Sequence, residues 1–348
     1  MQQASRLFRL VAASAMAAFL AACGQGGQQG AQGPQTVRVD GSSTVFPLSE
    51  AAAEAFTASS RGAVRVTVGE SGTGGGFRRF CRNEIEIQGA SRPILASEME
   101  ACRAAGVTYV EAPVAFDGLT VVVHPSNPLQ SITLAELRRM WAPAAEAQVT
   151  NWRQINPAWP NLRLQLFGAG TASGTFDFFT EAVMGEAGAS RTDYTPTEDD
   201  NVTVQGVANN PGGVGYFGIA YYQQNRERLR ALAIDNGQGP VAPSPESVAN
   251  GTYQPLSRPL FIYVNAEALR RPGVQQFVRY YLEHAAELAP RVGYVALPAA
   301  AYETYATRMR ERQAGTAFGG RQDIGASIEE VLARPLASEA APAEAGQE

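Results

Sequence analysis

From Thr36 onward, short runs of β-branched and apolar residues alternate with stretches whose apolar positions recur at helical spacing. Thr36–Asp40 and Val64–Gly69 read as strands, and helices are expected over Leu48–Ala58 and Phe77–Asn83. Gly118–His124 (GLTVVVH) reads as a strand, Leu164–Phe167 as another, and a helix is expected over Phe176–Met184 directly after a Ser-Gly-Thr turn. Thr133 and Glu136 stand at capping-box spacing, so a helix should start there and include Leu137–Trp141. Two extended apolar segments, Val114–Val123 and Arg258–Val264 (RPLFIYV), have the character of crossovers between lobes. The alternation predicts an α/β protein with sheets covered on both faces. One lobe is expected from residues 36–116 plus 256–334 and a second from 117–255. After Arg334 the chain turns to Pro, Ala, Ser and Glu, which predicts a disordered tail at 335–348.

The start of the chain has a different pattern. Arg6 and Arg9 precede an apolar run from Leu10 to Ala22, and Cys23 follows. A charged start, a short apolar stretch and small residues before the cysteine describe a secretory signal over 1–22, too short to span a bilayer. Leu20-Ala21-Ala22-Cys23 resembles a bacterial lipobox, in which the cysteine is lipidated and becomes the mature N-terminus. The Gly/Gln-rich stretch that follows would make 23–35 a lipid-anchored flexible tether. The folded body is therefore expected outside the cytoplasm, periplasmic or at the cell surface, held to a bacterial membrane. In that setting Cys81 and Cys102 should form a disulfide.

Composition then narrows the chemistry. With 45% hydrophobic residues, 18% charged residues and a formal net charge of −5, the chain has no basic footprint for nucleic acid and no signature of overall disorder. All 28 positive residues are arginine, which excludes a lysine Schiff base and a P-loop lysine. His124 and His284 are the only histidines, so multi-histidine metal sites are excluded as well. No cofactor and no metal are expected.

One feature recurs three times: a strand, a Gly/Ser/Thr turn, then a helix. The turns are Asp40-Gly41-Ser42-Ser43-Thr44, Glu70-Ser71-Gly72-Thr73-Gly74-Gly75-Gly76 and Gly170-Thr171-Ala172-Ser173-Gly174-Thr175. Each puts backbone amides and hydroxyls at a helix N-terminus, where the dipole favours negative charge. Taken alone, each is equally an ordinary N-cap with turn glycines. The second fails as a dinucleotide fingerprint, because Phe77 stands where the last glycine would be needed. Three such ends facing one point would hold a small tetrahedral anion.

The sequence resembles the phosphate-binding protein (PstS) family, the extracytoplasmic receptors of the phosphate ABC transporter. The resemblance covers nearly all of 36–330. It rests on DGSSTVFPLSEA, VGESGTGGGFRRFC with GASRPI, VAFDGLTVVVHPSNP, TNWRQI, FGAGTASGTFDFF, SRTDYTPTEDDNVTVQGV and GGVGYFGIAYY. It implies a type II periplasmic binding protein fold, two α/β lobes joined by crossover strands and closing on phosphate. It also implies a non-catalytic role, with the transporter's membrane permease subunits as partners; a monomer is expected. The family's contacts carry over to Ser43, Thr44 and Val45, to Ser71, Gly72 and Thr73, and to Thr171, Ser173, Gly174 and Thr175, with Ser91 and Arg92 beside them.

Two positions depart from the family pattern. Arg92 follows Ser91 where an aspartate often accepts the ligand's proton, and Gly168-Ala169-Gly170 stands where an arginine often precedes the Ser-Gly-Thr cradle. The expectation is that the cation has moved to Arg92, which would pair the anion bidentately. The carboxylate partner is expected among Asp177, Glu70 and Asp40, to orient Arg92 or accept a ligand proton. Asp193, Glu198, Asp199 and Asp200 lack calcium-loop spacing and read as a solvated acidic loop, with a place beside the cleft left open. Phe178-Phe179, Tyr221-Tyr222 and the three tryptophans read as packing. Two alternatives stay open: a receptor for another oxyanion such as sulfate, and an extracellular phosphoester hydrolase using Ser173 or Thr44 as nucleophile.

Overall fold

The computed structural model describes residues 35–335 except Asp323. The expected signal peptide, Cys23 with nearly all of its tether, and nearly all of the expected tail lie outside the described residues. The elements that matter for the site are β1 (Gln35–Gly41), α1 (Phe46–Ser59), β2 (Val64–Val68), α2 (Thr73–Phe80), β3 (Ile87–Ala90) and α3 (Ala96–Ala104). They continue with β4 (Tyr109–Val123), β5 (Ser131–Thr133), α4 (Leu134–Trp141), α5 (Trp152–Ile155), β6 (Gln165–Ala169), α6 (Gly174–Met184), β7 (Thr195–Thr197) and α7 (Asp200–Ala208). Then come β8 (Gly213–Gly218), α8 (Ile219–Asn225), β9 (Arg230–Ala231), β10 (Ala233–Asp235), β11 (Pro240–Val241), α9 (Pro245–Ala249), β12 (Ser257–Asn265), α10 (Pro272–Arg291) and α11 (Ala299–Glu311).

The main sheet runs β2-β1-β3-β12-β4-β8-β6-β7, with β9 beside β4; β11, β10 and β5 form a second, small sheet. β4 and β12 carry the two crossover segments, and every residue of both is buried. That is the reason they read as near-continuous apolar runs rather than as alternating ones. β4 serves two partners in succession: Tyr109–Gly118 pairs antiparallel with β12, and Leu119–Val123 pairs antiparallel with β8. The change of partner divides the sheet into a β2-β1-β3-β12 side and a β8-β6-β7 side. The β4–β12 register shifts between Leu260 and Phe261, beside Pro259 and opposite Pro113. Proline has no N–H to give to a ladder, and the irregularity falls between Pro259, paired with Phe116, and Pro113, paired with Phe261.

The helices follow the sequence pattern with two instructive differences. α4 begins at the expected capping box, where Thr133 Oγ1 accepts from the Glu136 amide at 3.1 Å and Glu136 returns to the Thr133 amide at 2.9 Å. α2 starts at Thr73 rather than Phe77, so the three glycines are its first turn and not a loop. Close packing explains them: a Cβ on Gly76 would sit 2.6 Å from the Gly41 Cα. α6 likewise opens at Gly174, with Ser173 Oγ capping the Thr175 amide at 3.1 Å. Cys81, at the end of α2, and Cys102, in α3, form the expected disulfide with Cα atoms 4.4 Å apart. Trp141 and Trp152 are core residues, as their pattern implied.

Candidate functional site

Each Gly/Ser/Thr turn leads from a strand of the main sheet into a helix, and the sheet brings the three helix starts together. Thr44 Oγ1 lies 3.1 Å from Thr175 Oγ1, joining the first turn to the third. The Gly74 amide donates to the Ala172 carbonyl at 2.8 Å, joining the second to the third. Thr73 Oγ1 and Ser91 Oγ lie 3.3 Å apart, and a Cβ on Gly174 would come within 2.5 and 2.7 Å of these two oxygens. Only a glycine permits that approach. Two tyrosines fix the first turn by taking its carbonyls: Tyr221 donates to Ser43 O at 3.0 Å and Tyr294 to Thr44 O at 2.5 Å. Tyr221 is thus buried packing that also shapes the site.

The guanidinium at the Thr44–Thr175 contact is that of Arg258, the arginine that opens RPLFIYV. It is only 1% exposed. Its cross-strand partner on β4 is Asp117, whose Oδ2 accepts from Nε at 3.1 Å and from Nη2 at 3.0 Å. Asp117 Oδ1 accepts from the Ile219 amide at 3.0 Å. Burial pushes the Asp117 carboxyl up from its ordinary range, while Arg258 and the amides of Ile219 and Gly118 hold it back. Nη2 also donates to Thr44 Oγ1 and Thr175 Oγ1, each at 3.0 Å, and the guanidinium lies 5.3 Å from the centre of the Phe178 ring. Nη1 is buried and has no hydrogen-bond partner among the described residues; the same holds for Ser71 Oγ. A buried arginine nitrogen without an acceptor is costly, so Nη1 is a donor available to an incoming acceptor.

Further carboxylates stand at this cluster. Asp200 is buried at the start of α7 and accepts from Ser43 Oγ at 3.2 Å. Burial pushes its carboxyl up to about 8, with Glu70 and Asp117 adding to the rise and Arg258 and Ser43 opposing it. Half-buried Glu70 is pushed up to about 7 by burial first, then by the charges of Asp199 and Glu50. Glu198 is raised by burial, and its Oε1 accepts from the Ala172 amide at 3.3 Å. The expectation of a solvated acidic loop therefore fails at Asp200, although Asp193 and Asp199 are exposed.

The expected residues divide cleanly. Ser43, Thr44, Ser71, Gly72, Thr73, Ser91, Ser173, Gly174 and Thr175 come to this junction. Val45 and Thr171 do not serve as expected: the Val45 amide is already donated to Ser42 O at 3.1 Å, and Thr171 is exposed. Arg92 does not present a free fork for an anion. Its Nη1 and Nη2 donate to Glu98 at 2.8 and 2.9 Å, Nη1 also to Pro93 O at 3.1 Å, and Nε to Asp177 Oδ2 at 2.7 Å. The bidentate face expected for the ligand is occupied by Glu98. Asp177 does meet Arg92, while Asp40 is paired with Arg79 and caps the Gly41 amide at 2.6 Å.

Sequence reasoning missed Asp117, Arg258 and Asp200. A signal existed for each. Asp117 and Arg258 are single charges within runs expected to be buried, and a buried charge requires a partner. Asp200 stands at helical spacing from Thr203, Val204 and Val207, which are all buried, so it lies on the same inward face. Both histidines are engaged elsewhere, His124 with Ser126 at 2.8 Å and His284 stacked on Tyr280 with centroids 3.9 Å apart.

Hydroxyls, helix N-termini and a guanidinium converging at strands shared by two α/β halves define a class: a hinged binding protein with a cleft suited to an anion. Residues 26–284 match the family described as a PBP superfamily domain. Protein SphX from Synechococcus elongatus is 52% identical over 297 residues, covering 85% of this chain and 88% of its own length. Phosphate-binding protein PstS from Staphylococcus saprophyticus is 35% identical over 285 residues, covering 80% and 86%. A solved structure described as a possible phosphate binding protein from Planctomyces limnophilus is similar at 46% identity and TM-score 0.58, over 80% of this chain and 99% of that one. An ABC-type phosphate transport receptor from Vibrio cholerae shares the fold at 22% identity and TM-score 0.57, over 75% of this chain and 100% of that one. The chain belongs to the PBP superfamily, and within it to the PstS-like family of phosphate-binding proteins.

Proposed function

We propose that this protein is an extracytoplasmic receptor that closes on inorganic phosphate and delivers it to the permease subunits of an ABC transporter. The observation that carries the reading is the buried Arg258, fixed by Asp117, Thr44 and Thr175 but left with Nη1 unpartnered. A phosphate oxygen on Nη1, with others on Ser43, Ser71, Ser173 and the amides at the starts of α1, α2 and α6, would complete the hydrogen bonding. Asp200 is the carboxylate suited to sense the ligand's proton, in place of the expected Asp177, Glu70 or Asp40. Residues 36–116 plus 256–334 and 117–255 would move as two bodies on β4 and β12. The receptor reading is favoured over the hydrolase alternative because His124 and His284 are engaged with Ser126 and Tyr280 and not with Ser173 or Thr44.

The test is calorimetric titration of ligand-stripped protein with phosphate, repeated in excess sulfate. Tight one-to-one binding that sulfate does not displace is the expected result. Equal binding of sulfate would replace phosphate by a general oxyanion, and no binding of either would remove the anion reading. Lipidation at Cys23 is part of the same proposal, supported by the Leu-Ala-Ala-Cys sequence. Cells fed a labelled fatty acid should label the wild-type chain and not Cys23→Ser.

A further inference from the structure

Arg92 and Asp177 belong to opposite sides of the sheet's division: Arg92 follows β3, and Asp177 is in the first turn of α6, which follows β6. Arg92 is held rigidly from its own side. Glu98 takes both terminal nitrogens at 2.8 and 2.9 Å, and Glu98 is itself fixed as the cap of α3 by accepting from the Leu95 amide at 2.9 Å. That leaves Nε–H aimed across the seam, where Asp177 Oδ2 meets it at 2.7 Å. The pair is not isolated: the Gly74 amide crosses the same seam to Ala172 O at 2.8 Å, and Gly174 fits against Thr73 and Ser91.

We propose that Arg92 and Asp177 are a closure latch, positioning residues that set how long phosphate is retained without touching it. The proposal rests on the phosphate-receptor reading above. In the open form Asp177 would be hydrated and Arg92 would remain neutralised by Glu98, so neither charge is stranded when the latch opens. In the closed form the pair adds one charge-assisted hydrogen bond whose arginine is already oriented, so little side-chain freedom is lost in forming it. Asp177 lies one turn behind the N-cap Ser173, in the same first turn of α6 as Gly174 and Thr175. A ligand that draws the start of α6 inward therefore carries Asp177 onto Arg92.

The test is stopped-flow binding and release of inorganic phosphate by the full chain and by Asp177→Asn. The expected result is release about tenfold faster, about 1.4 kcal/mol, with association within twofold of wild type and an unchanged preference for phosphate over sulfate. Arg92→Lys keeps the charge but cannot hold Glu98 and Asp177 together, so it should reproduce the effect, and the double variant should add nothing. Unchanged release, or slower association with an altered phosphate-to-sulfate preference, would overturn the latch. Hydrogen exchange separates this failure from failure of the receptor reading. Asp177→Asn should speed exchange in the peptide containing Gly74 whether or not phosphate binds, and unchanged exchange there overturns the latch. Faster exchange in a protein that binds no phosphate supports the latch and overturns only the receptor reading.

Discussion

Arg92 and Arg258 are both buried, both paired with aspartate and both close to the Ser-Gly-Thr helix start, yet their situations are opposite. Arg92 faces two carboxylates, Glu98 and Asp177, and each of its nitrogens has an acceptor. Arg258 faces one carboxylate and two hydroxyls, and Nη1 has none. An anion approaching Arg92 would have to displace a carboxylate in a cluster that is already net negative. At Arg258 it would complete an unfinished set beside a neutral pair. Charge and burial are the same in the two places; donor capacity left over beside the hydroxyl cluster is why Arg258, and not Arg92, is the arginine proposed to meet the anion.

The largest effect should come from Arg258→Ala. It removes the guanidinium that Thr44 and Thr175 share and strands Asp117, a loss of about 3–5 kcal/mol in stability together with loss of measurable phosphate binding by calorimetry. Adding Asp117→Asn should restore much of the melting temperature and none of the binding. Gly174→Ala comes next: a Cβ there collides with Thr73 and Ser91, and overpacking of about 2 kcal/mol corresponds to roughly thirtyfold weaker binding. Arg92→Lys should cost only about tenfold. If it abolishes binding as Arg258→Ala does, the contrast between the two arginines is wrong.

A smaller effect is expected with pH. Asp200, pushed up to about 8, is a neutral acid below that value and ionises above it, against a dianion. Phosphate affinity should therefore fall as pH rises through 8, and sulfate, with no proton to offer the carboxylate, should fall more steeply. In folding the sign is the same. The native state holds a proton that the unfolded chain releases near its ordinary aspartate value, so Asp200 costs stability progressively as pH rises toward 8. Asp200→Asn should flatten both profiles; a phosphate affinity in that variant still falling through pH 8 would reject the assignment. The smallest effect on binding belongs to the Cys81–Cys102 bridge. Its removal should cost about 3 kcal/mol of stability by loop entropy and leave the phosphate dissociation constant unchanged.

Much of the architecture was legible because it is local. β1, β2, the two crossover strands and the Thr133 capping box appear within a residue or two of their expected limits, except that β4 extends back to Tyr109. Each is specified by periodicity or by a side chain three residues away. α2 was read four residues late at its start and three residues past its end; its opening glycines look like a loop until Gly41 is seen packed against Gly76. The three anion-facing turns were legible for the same local reason, since a helix start carries its donors wherever it is placed.

Legible from the residues alone are the strands β1, β2, β6 and the two crossovers, the helices α1, α4 and α6, the three donor-rich helix starts, the lack of lysine and the two cysteines that pair. Which charges share a partner depends on the fold. Arg258 and Asp117 lie 141 positions apart and meet because β12 and β4 pair in one register. Arg92 and Asp177, 85 apart, meet across the seam. A charge states its need for a partner in the sequence, but burial and distance choose the partner, and both are set by how the sheet orders its strands.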